Sequence, residues 1–416
     1  MKRITNASNE QYGEKIEQRS EPQFIFTSKG RALCASGIAD KISSKGLNQD
    51  TFIESIKSKL NELKANGQEN PIVVGSIPFD TTEETELFVP KVSHFSDTLT
   101  TNTTTSHGTT QLTSLSQVTD ESHFKGAVNK ALLLSKHTHL DKVVLSRAID
   151  VQTTMAISAT DMAATLYQQN PNAFVFSIPQ SDGTTLIGAS PELLIKKQDS
   201  CVTSNPLAGS RKRTNVATEN KKNSDELWLC AKDRYEHKLV ADAVFKHLNP
   251  FCEILNTPSA PSIIETPTML HLSTEIQGTL ASKNTSVLEL AYALHPTPAI
   301  CGTPPALAKA TIQYLEGYDR AKFCGAVGWM DAEGNGEWVV TIRCGVIKQN
   351  SIRLYAGAGI VHGSDPIAEF DETEAKLNTM LKALGLLSST LKQQHSIPLS
   401  ALQNKTNQAK RAGVII

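Results

Sequence analysis

The chain lacks an excess of charge of either sign. Forty-one lysines and arginines face 42 aspartates and glutamates over 416 residues, a formal net charge of −1. No global field therefore draws it onto nucleic acid or an anionic membrane. Aromatic residues make up only 6% of the chain, and none are interleaved with a basic patch. The densest basic run, Arg211-Lys212-Arg213, reads as a solvated loop. No run is long and apolar enough to span a bilayer. The opening MKRITNASNEQYGEK lacks the apolar segment of a secretory signal. The seven cysteines, at 34, 201, 230, 252, 301, 324 and 344, are odd in number and form no CxxC pair. That argues against a disulfide framework or a zinc–thiolate site and suits reduced thiols in a cytoplasmic protein. The expectation is a soluble cytoplasmic chain with neither nucleic acid nor membrane as partner.

A length of 416 residues suits one very large domain or two to three ordinary ones. Residues 1 to about 22 are polar and read as a loose leader. FIFTS (24–28), PIVVGSIPF (71–79) and ELFVPKV (86–92) read as strands. Between them, 48–66 reads as an amphipathic helix with Phe52, Ile56, Leu60 and Leu63 at helical spacing. Thr and Ser dominate 96–119, which reads as an exposed connection. It either divides an N-terminal portion (1–95) from a catalytic region (120–387) or is a surface loop of a single domain. Strand-like segments crowd 142–151, 173–180, 184–190, 192–198 and 201–209, with turn signals that suggest hairpins. Helices are expected over about 223–247, 286–293, 304–316 and 366–386, and a hairpin over 337–347 and 351–361. The tail from 388 is polar. Hairpins in place of βαβ units predict an α+β fold, antiparallel sheets packed together and flanked by helices.

Two helices carry paired acids. Asp233 and Glu236 share a face that continues into Val240 and Ala243. Half-desolvated carboxylates are costly without a cation. The plain alternative pairs Asp233 with His237 and leaves Glu236 in water. On the last helix, Glu369, Glu372 and Lys376 border a stripe of Ile367, Phe370, Leu377, Leu381 and Leu384. Glu372 and Lys376 also suit an ordinary helix ion pair. Oxygen ligands on two helices, without His or Cys clusters, suit Mg²⁺ better than zinc.

Elsewhere, Arg343 lies in a strand pattern, opposite the apolar face of Trp338, Val340, Ile342, Cys344 and Val346. It can grip a carboxylate bidentately or lie on a wet sheet face. AGAGIVHG (356–363) fails the dinucleotide spacing, because position 362 is histidine. Its glycines still permit close approach of a ligand to backbone. Gly209 and Ser210 in PLAGS offer backbone and hydroxyl donors, or simply end a strand. Lys142 opens a strand and by itself reads as solvated. Ser190-Pro191-Glu192 by itself reads as a helix N-cap followed by proline and a helpful acid.

Taken together, KVVLSR (142–147), GASPELL (188–194), PLAGS (206–210), KDRYEH (232–237), HPTPAICGTP (295–304), GEWVVTIRC (336–344), LYAGAGIV (354–361) and ETEAKL (372–377) resemble the chorismate-utilising enzymes. Within that family the likeness is to isochorismate synthases of catechol siderophore synthesis. It covers about residues 120–387 well, and eight motifs in order are far more specific than any one. HGSDP at 362–366 departs from the expected pattern.

The resemblance implies Mg²⁺ held by Glu236 and Glu372, with Asp233 and Glu369 in support. It implies a grip on the pyruvyl carboxylate by Arg343, and a substrate site lined by Gly209, Ser210, Ala299, Gly357 and Lys376. It implies Lys142 as general base and Glu192 as general acid, water adding at C2 of chorismate as the C4 hydroxyl leaves. A lysine base must be neutral, about 3 units below its free pKa of ~10.4. Glu192 must be held protonated by an apolar wall. Lysine at 142 disfavours the amine-inserting branch, which carries an amide there. Alanine at 299 disfavours pyruvate elimination, for which relatives carry threonine. Salicylate synthesis and the isochorismate synthase of menaquinone synthesis remain the alternatives, and a monomer is expected. If Arg343 and Gly357 share a pocket, the hairpin that carries them requires an odd-numbered loop or a bulge.

Overall fold

A computed structural model describes residues 23–100 and 111–386. The leader, the centre of the Thr/Ser-rich stretch and the tail lie outside the described residues. Among those described, every strand pairing is antiparallel. Seventeen strands join one hydrogen-bonded network, and a smaller sheet holds Leu207–Lys212, Met269–Ser273 and Ser262–Glu265. The fold is α+β, with helices packed on antiparallel sheets, as the hairpin signals predict.

The helices are α1 (Gln49–Ala65), α2 (Glu121–His137), α3 (Ala159–Gln169), α4 (Ala217–Leu229), α5 (Ala231–Leu248), α6 (Val287–Leu294), α7 (Pro305–Glu316) and α8 (Pro366–Ala383). α1 starts at Asn48, whose side chain accepts from Thr51 N, as N-cap residues do. It buries Phe52, Ile56 and Leu60, the face its periodicity marks. The main core runs from Phe24 and Phe26 through Val74, Phe176 and Trp338 to Leu290 and Phe370. A second core joins α3 and α8 to the sheet through Met162, Leu166, Ile187, Leu377 and Leu381.

Several expectations need correction. The helix expected over 223–247 is two helices, α4 and α5, parted at Cys230, whose ψ of 113° is extended. The strand expected over 201–209 breaks at Pro206, which donates no hydrogen bond, and Leu207–Lys212 joins the smaller sheet. Within 96–119, Leu112–Gln117 is a strand paired with Lys142–Thr153. The run 211–213 is not a solvated loop. Arg211 and Lys212 end a strand, Arg211 reaches Asp233 and Arg213 reaches Glu265. Ile367, placed in the α8 stripe, is 57% exposed. Ser190-Pro191-Glu192 caps no helix but links the strands Thr185–Ser190 and Leu193–Gln198. α2 and α3 went unassigned from the sequence.

The 337–361 segment departs most from its pattern. The turn between Lys348 and Ser351 is two residues long, the register is even, and the ladder has no bulge. That register alone turns Gly357 away from Arg343. The strand itself breaks instead, running Gly336–Val340 and resuming at Cys344–Lys348. Arg343 lies in the break at φ 52°, a left-handed conformation that side chains seldom adopt. The break re-aims its guanidinium, so the alternation argument for its face does not hold.

Candidate active site

One cavity lies where the broken strand meets the smaller sheet, α5 and α8. Its lining includes Glu192, Gly209, Ser210, Glu236, Ala299, Arg343, Gly357, Glu372 and Lys376, nine of the twelve candidate residues. Gly209 sits in a β-bulge at φ +76°, a position that favours glycine. The bulge skips Gly209 in the ladder and sets Ser210 opposite His271, bringing both to the cavity.

Glu192 is buried beside Pro191 and Leu207. Burial pushes its carboxyl up to about 7, against a hydrogen bond from the Leu207 backbone and the charges of Lys142, Arg343 and Lys376. That is the direction a general acid requires. Arg343 is buried too, and desolvation brings it down to about 10, although Glu372 and Glu192 favour its charge.

Lys142 is 1% exposed and far from solvated. Its ammonium lies 2.9 Å from Glu236 Oε1. A Cβ at Gly359 would stand 2.0 Å from Glu236 Oε1 and 3.0 Å from Lys142 Cε, so a side chain there would push the Glu236 carboxylate aside. Lys142 thus lies behind Glu236 and Gly359. Burial would raise the Glu236 carboxyl, but Lys142 and Lys232 outweigh it and its pKa is lowered. Glu236 is not in water. His237 turns from Asp233 to Ala208 O and Thr274 Oγ1, at 3.2 and 2.6 Å.

The remaining acids are also paired with cations. Lys232 Nζ lies 2.6 Å from Glu369 Oε1 and 3.7 Å from Asp233 Oδ1. Lys376 Nζ lies 2.6 Å from Glu372 Oε1 and donates to Gly357 O at 2.7 Å. The helix ion pair and the pocket role of Lys376 therefore coexist. Asp233 faces Arg211 at 2.5 Å and touches the other acids only through Lys232. Neither Asp233 nor Glu369 lines the cavity.

Among the described residues, no three acids, histidines or cysteines converge as a ready-made metal site. The donor chemistry nevertheless fits a hard divalent cation. Burial and then the charge of Glu372, with a lesser push from Glu236, raise the Glu369 carboxyl to about 7 against Lys232. Glu369 thus feels the charge of both other acids, and Lys142, Lys232 and Lys376 pair with the three carboxylates. Glu236 and Glu372 could hold such an ion once turned from Lys142 and Lys376.

His271, Tyr355 and Lys232 have no role in the sequence reading, and Gly359 enters it only among the glycines of AGAGIVHG. His271 stands in the apolar run MLHLS, where an isolated polar residue is the only signal. Arg211 was hidden inside a basic run.

Comparison with known proteins then defines the class. Residues 65–385 match the family described as chorismate binding enzymes, and the chain belongs to it. Isochorismate synthase DhbC of Bacillus subtilis is 41% identical over 372 residues, covering 87% of this chain and 94% of the relative. The vibriobactin-specific isochorismate synthase of Vibrio cholerae is 38% identical, covering 89% and 93%. A crystal structure of a putative 2,3-dihydroxybenzoate-specific isochorismate synthase from Bacillus anthracis superposes with a TM-score of 0.83 at 42% identity, over 88% of this chain and 97% of that one.

Proposed function

We propose that this chain is an isochorismate synthase, converting chorismate to isochorismate for catechol siderophore synthesis. The observation that carries the chemistry is Glu192, a carboxyl held near 7 by burial in the same cavity as Arg343. An acid of that pKa can donate a proton at neutral pH, and a desolvated guanidinium can grip a carboxylate. The specificity for a siderophore pathway rests on the relatives, vibriobactin-specific and 2,3-dihydroxybenzoate-specific in name, that align over most of the chain.

Lys142 Nζ takes a proton from water as its oxygen adds at C2. The ring double bonds shift, and Glu192 protonates the C4 hydroxyl, which leaves as water. To act, Lys142 must give up its contact with Glu236. Glu236 and Glu372 would hold Mg²⁺, with Glu369 and, through Lys232, Asp233 in support. Bound there, the ion would neutralise the ring carboxylate of the substrate. Arg343, Ser210, the Gly209 backbone and Lys376 orient the anionic groups, and Gly357 and Ala299 form the floor and wall.

Incubation with chorismate and Mg²⁺ tests this reading. Isochorismate is expected without pyruvate. Stoichiometric pyruvate would indicate the salicylate-forming reaction, and an ammonium-dependent aromatic product the amine-inserting one. Lys142→Gln is expected to fold and bind but not to turn over.

A further inference from the structure

The hydroxyl of Ser210 and the guanidinium of Arg343 are joined by a side chain to which the proposed reaction gives no task. His271 is buried on the wall of the cavity. Its Nδ1 lies 2.9 Å from Ser210 Oγ and its Nε2 lies 3.3 Å from Arg343 Nη2. Guanidinium nitrogens only donate, so Nε2 must accept. A neutral imidazole with Nε2 accepting carries its proton on Nδ1. That N–H therefore donates to Ser210 Oγ. With one lone pair so engaged, the serine keeps its own O–H for another partner, and it faces the cavity.

We infer that His271 is a positioning residue that makes Ser210 a dedicated hydrogen-bond donor to an anionic oxygen of the substrate. The chain of polarity starts at Arg343, which fixes the tautomer, and ends at the serine hydroxyl. A rotating serine would otherwise donate to, or accept from, whatever stands nearby. The arrangement favours a ligand group with only acceptors, a carboxylate, over a carboxamide of the same shape. Two further contacts hold the geometry. The Gly209 bulge sets Ser210 opposite His271 in the ladder, and Arg211 Nη1 donates to Ser210 O at 2.8 Å. Burial, then the charges of Arg343 and Lys376, keep the His271 pKa well below the usual range, so the ring stays neutral.

Two measurements test the inference, the first independent of any substrate. In the full chain labelled with ¹⁵N-histidine, the His271 signals are those missing from His271→Asn. They are expected to show a protonated Nδ1 and a bare Nε2 at pH 7. A proton on Nε2, or an imidazolium, overturns the proposal whatever the reaction is. The second measurement rests on the isochorismate synthase reading. His271→Leu is expected to raise KM for chorismate roughly tenfold, the worth of one hydrogen bond to a charged group, while kcat stays within about threefold. Ser210→Ala should cost clearly less KM in that background than in the parent chain, and His271→Asn, which can keep a donor beside Ser210, should recover most of the loss. Additive effects of the two changes, or a loss confined to kcat, overturn it. Absence of turnover in the unaltered chain would instead sink the assigned reaction and leave the nuclear-spin result to decide the tautomer.

Discussion

A carboxyl held at about 7 in the folded state and at ~4.3 in the open chain makes stability depend on pH. Between those values the folded state keeps the Glu192 proton and the unfolded state has lost it. Stability therefore falls as pH rises from ~4.3 to about 7 and levels off beyond, a loss on the order of 4 kcal/mol. Glu192→Gln cannot ionise and avoids that loss. Its melting temperature relative to the parent should be higher at pH 8 than at pH 5, by a few degrees. A difference that does not change with pH would show that Glu192 ionises freely in the fold. Turnover should fall as pH rises through about 7, where the acid form disappears. A second residue-scale expectation concerns Gly359. A methyl group there would displace the Glu236 carboxylate, so Gly359→Ala should lower turnover by about 100-fold or more, as misplacement of a reacting group does. Gly126, in α2 with open space around its Cβ position, is the control. Gly126→Ala should leave turnover unchanged and stabilise by about 0.5–1 kcal/mol, as expected in a helix interior. Equal activity in the two variants would show that the Gly359 contact is not needed.

Between elements, the seating of α8 on the sheet decides whether Glu372 and Lys376 reach the cavity. Arg147 sets it. Wholly buried on the Lys142–Thr153 strand, it pairs with Glu374, donates from Nε to Thr373 Oγ1 at 2.8 Å and lies 4.3 Å over the Phe370 ring. Burial lowers it to about 10, against the pull of Glu121 and Tyr318. Glu374 is 29% exposed at its side chain, so the two partners are unequal. Glu374→Gln strands a buried guanidinium and should cost about 3 kcal/mol. Arg147→Met leaves a carboxylate that can reach water and should cost less than half as much. Urea denaturation at neutral pH gives both values, and the reverse order would mean that Arg147 is not the buried member. How far these elements could be read in advance depended on what fixes them. α1 followed from its own spacing, and α5 from its acids and apolar stripe, though merged with α4. The Arg343 break did not, because alternation persists through 337–347 while the break is made from outside. Cys324 N donates to Thr341 O, and Thr341 N donates to Gly325 O. The acids on α5 and α8 were legible as a cluster. The lysines that neutralise them, Lys142 and Lys232, were not, since nothing local distinguishes a buried lysine from a solvated one.

At the scale of the molecule, the sequence left open whether the Thr/Ser-rich stretch divides two units. The strand pairings bear on that choice. Phe24–Ser28 pairs with Phe174–Pro179, and Ile72–Ile77 pairs with Ala326–Asp331. The second pairing flanks the strand whose other neighbour, Gly336–Val340, leads into the Arg343 break. Phe24, Phe26 and Val74 share one core with Phe176, Trp329 and Trp338. Residues 120–386 alone would therefore expose three strand edges, Lys142–Thr153 losing Leu112–Gln117 as well, and an apolar face, the condition under which sheets aggregate. That fragment is expected to be insoluble or to unfold without a cooperative transition, although it carries all twelve candidate site residues. The full chain should unfold in one transition, with tryptophan fluorescence and far-ultraviolet dichroism coinciding. A soluble fragment with its own cooperative transition would mean instead that the N-terminal strands are an appended unit. The strand that aims Arg343 would then hold its shape without Ile72–Ile77.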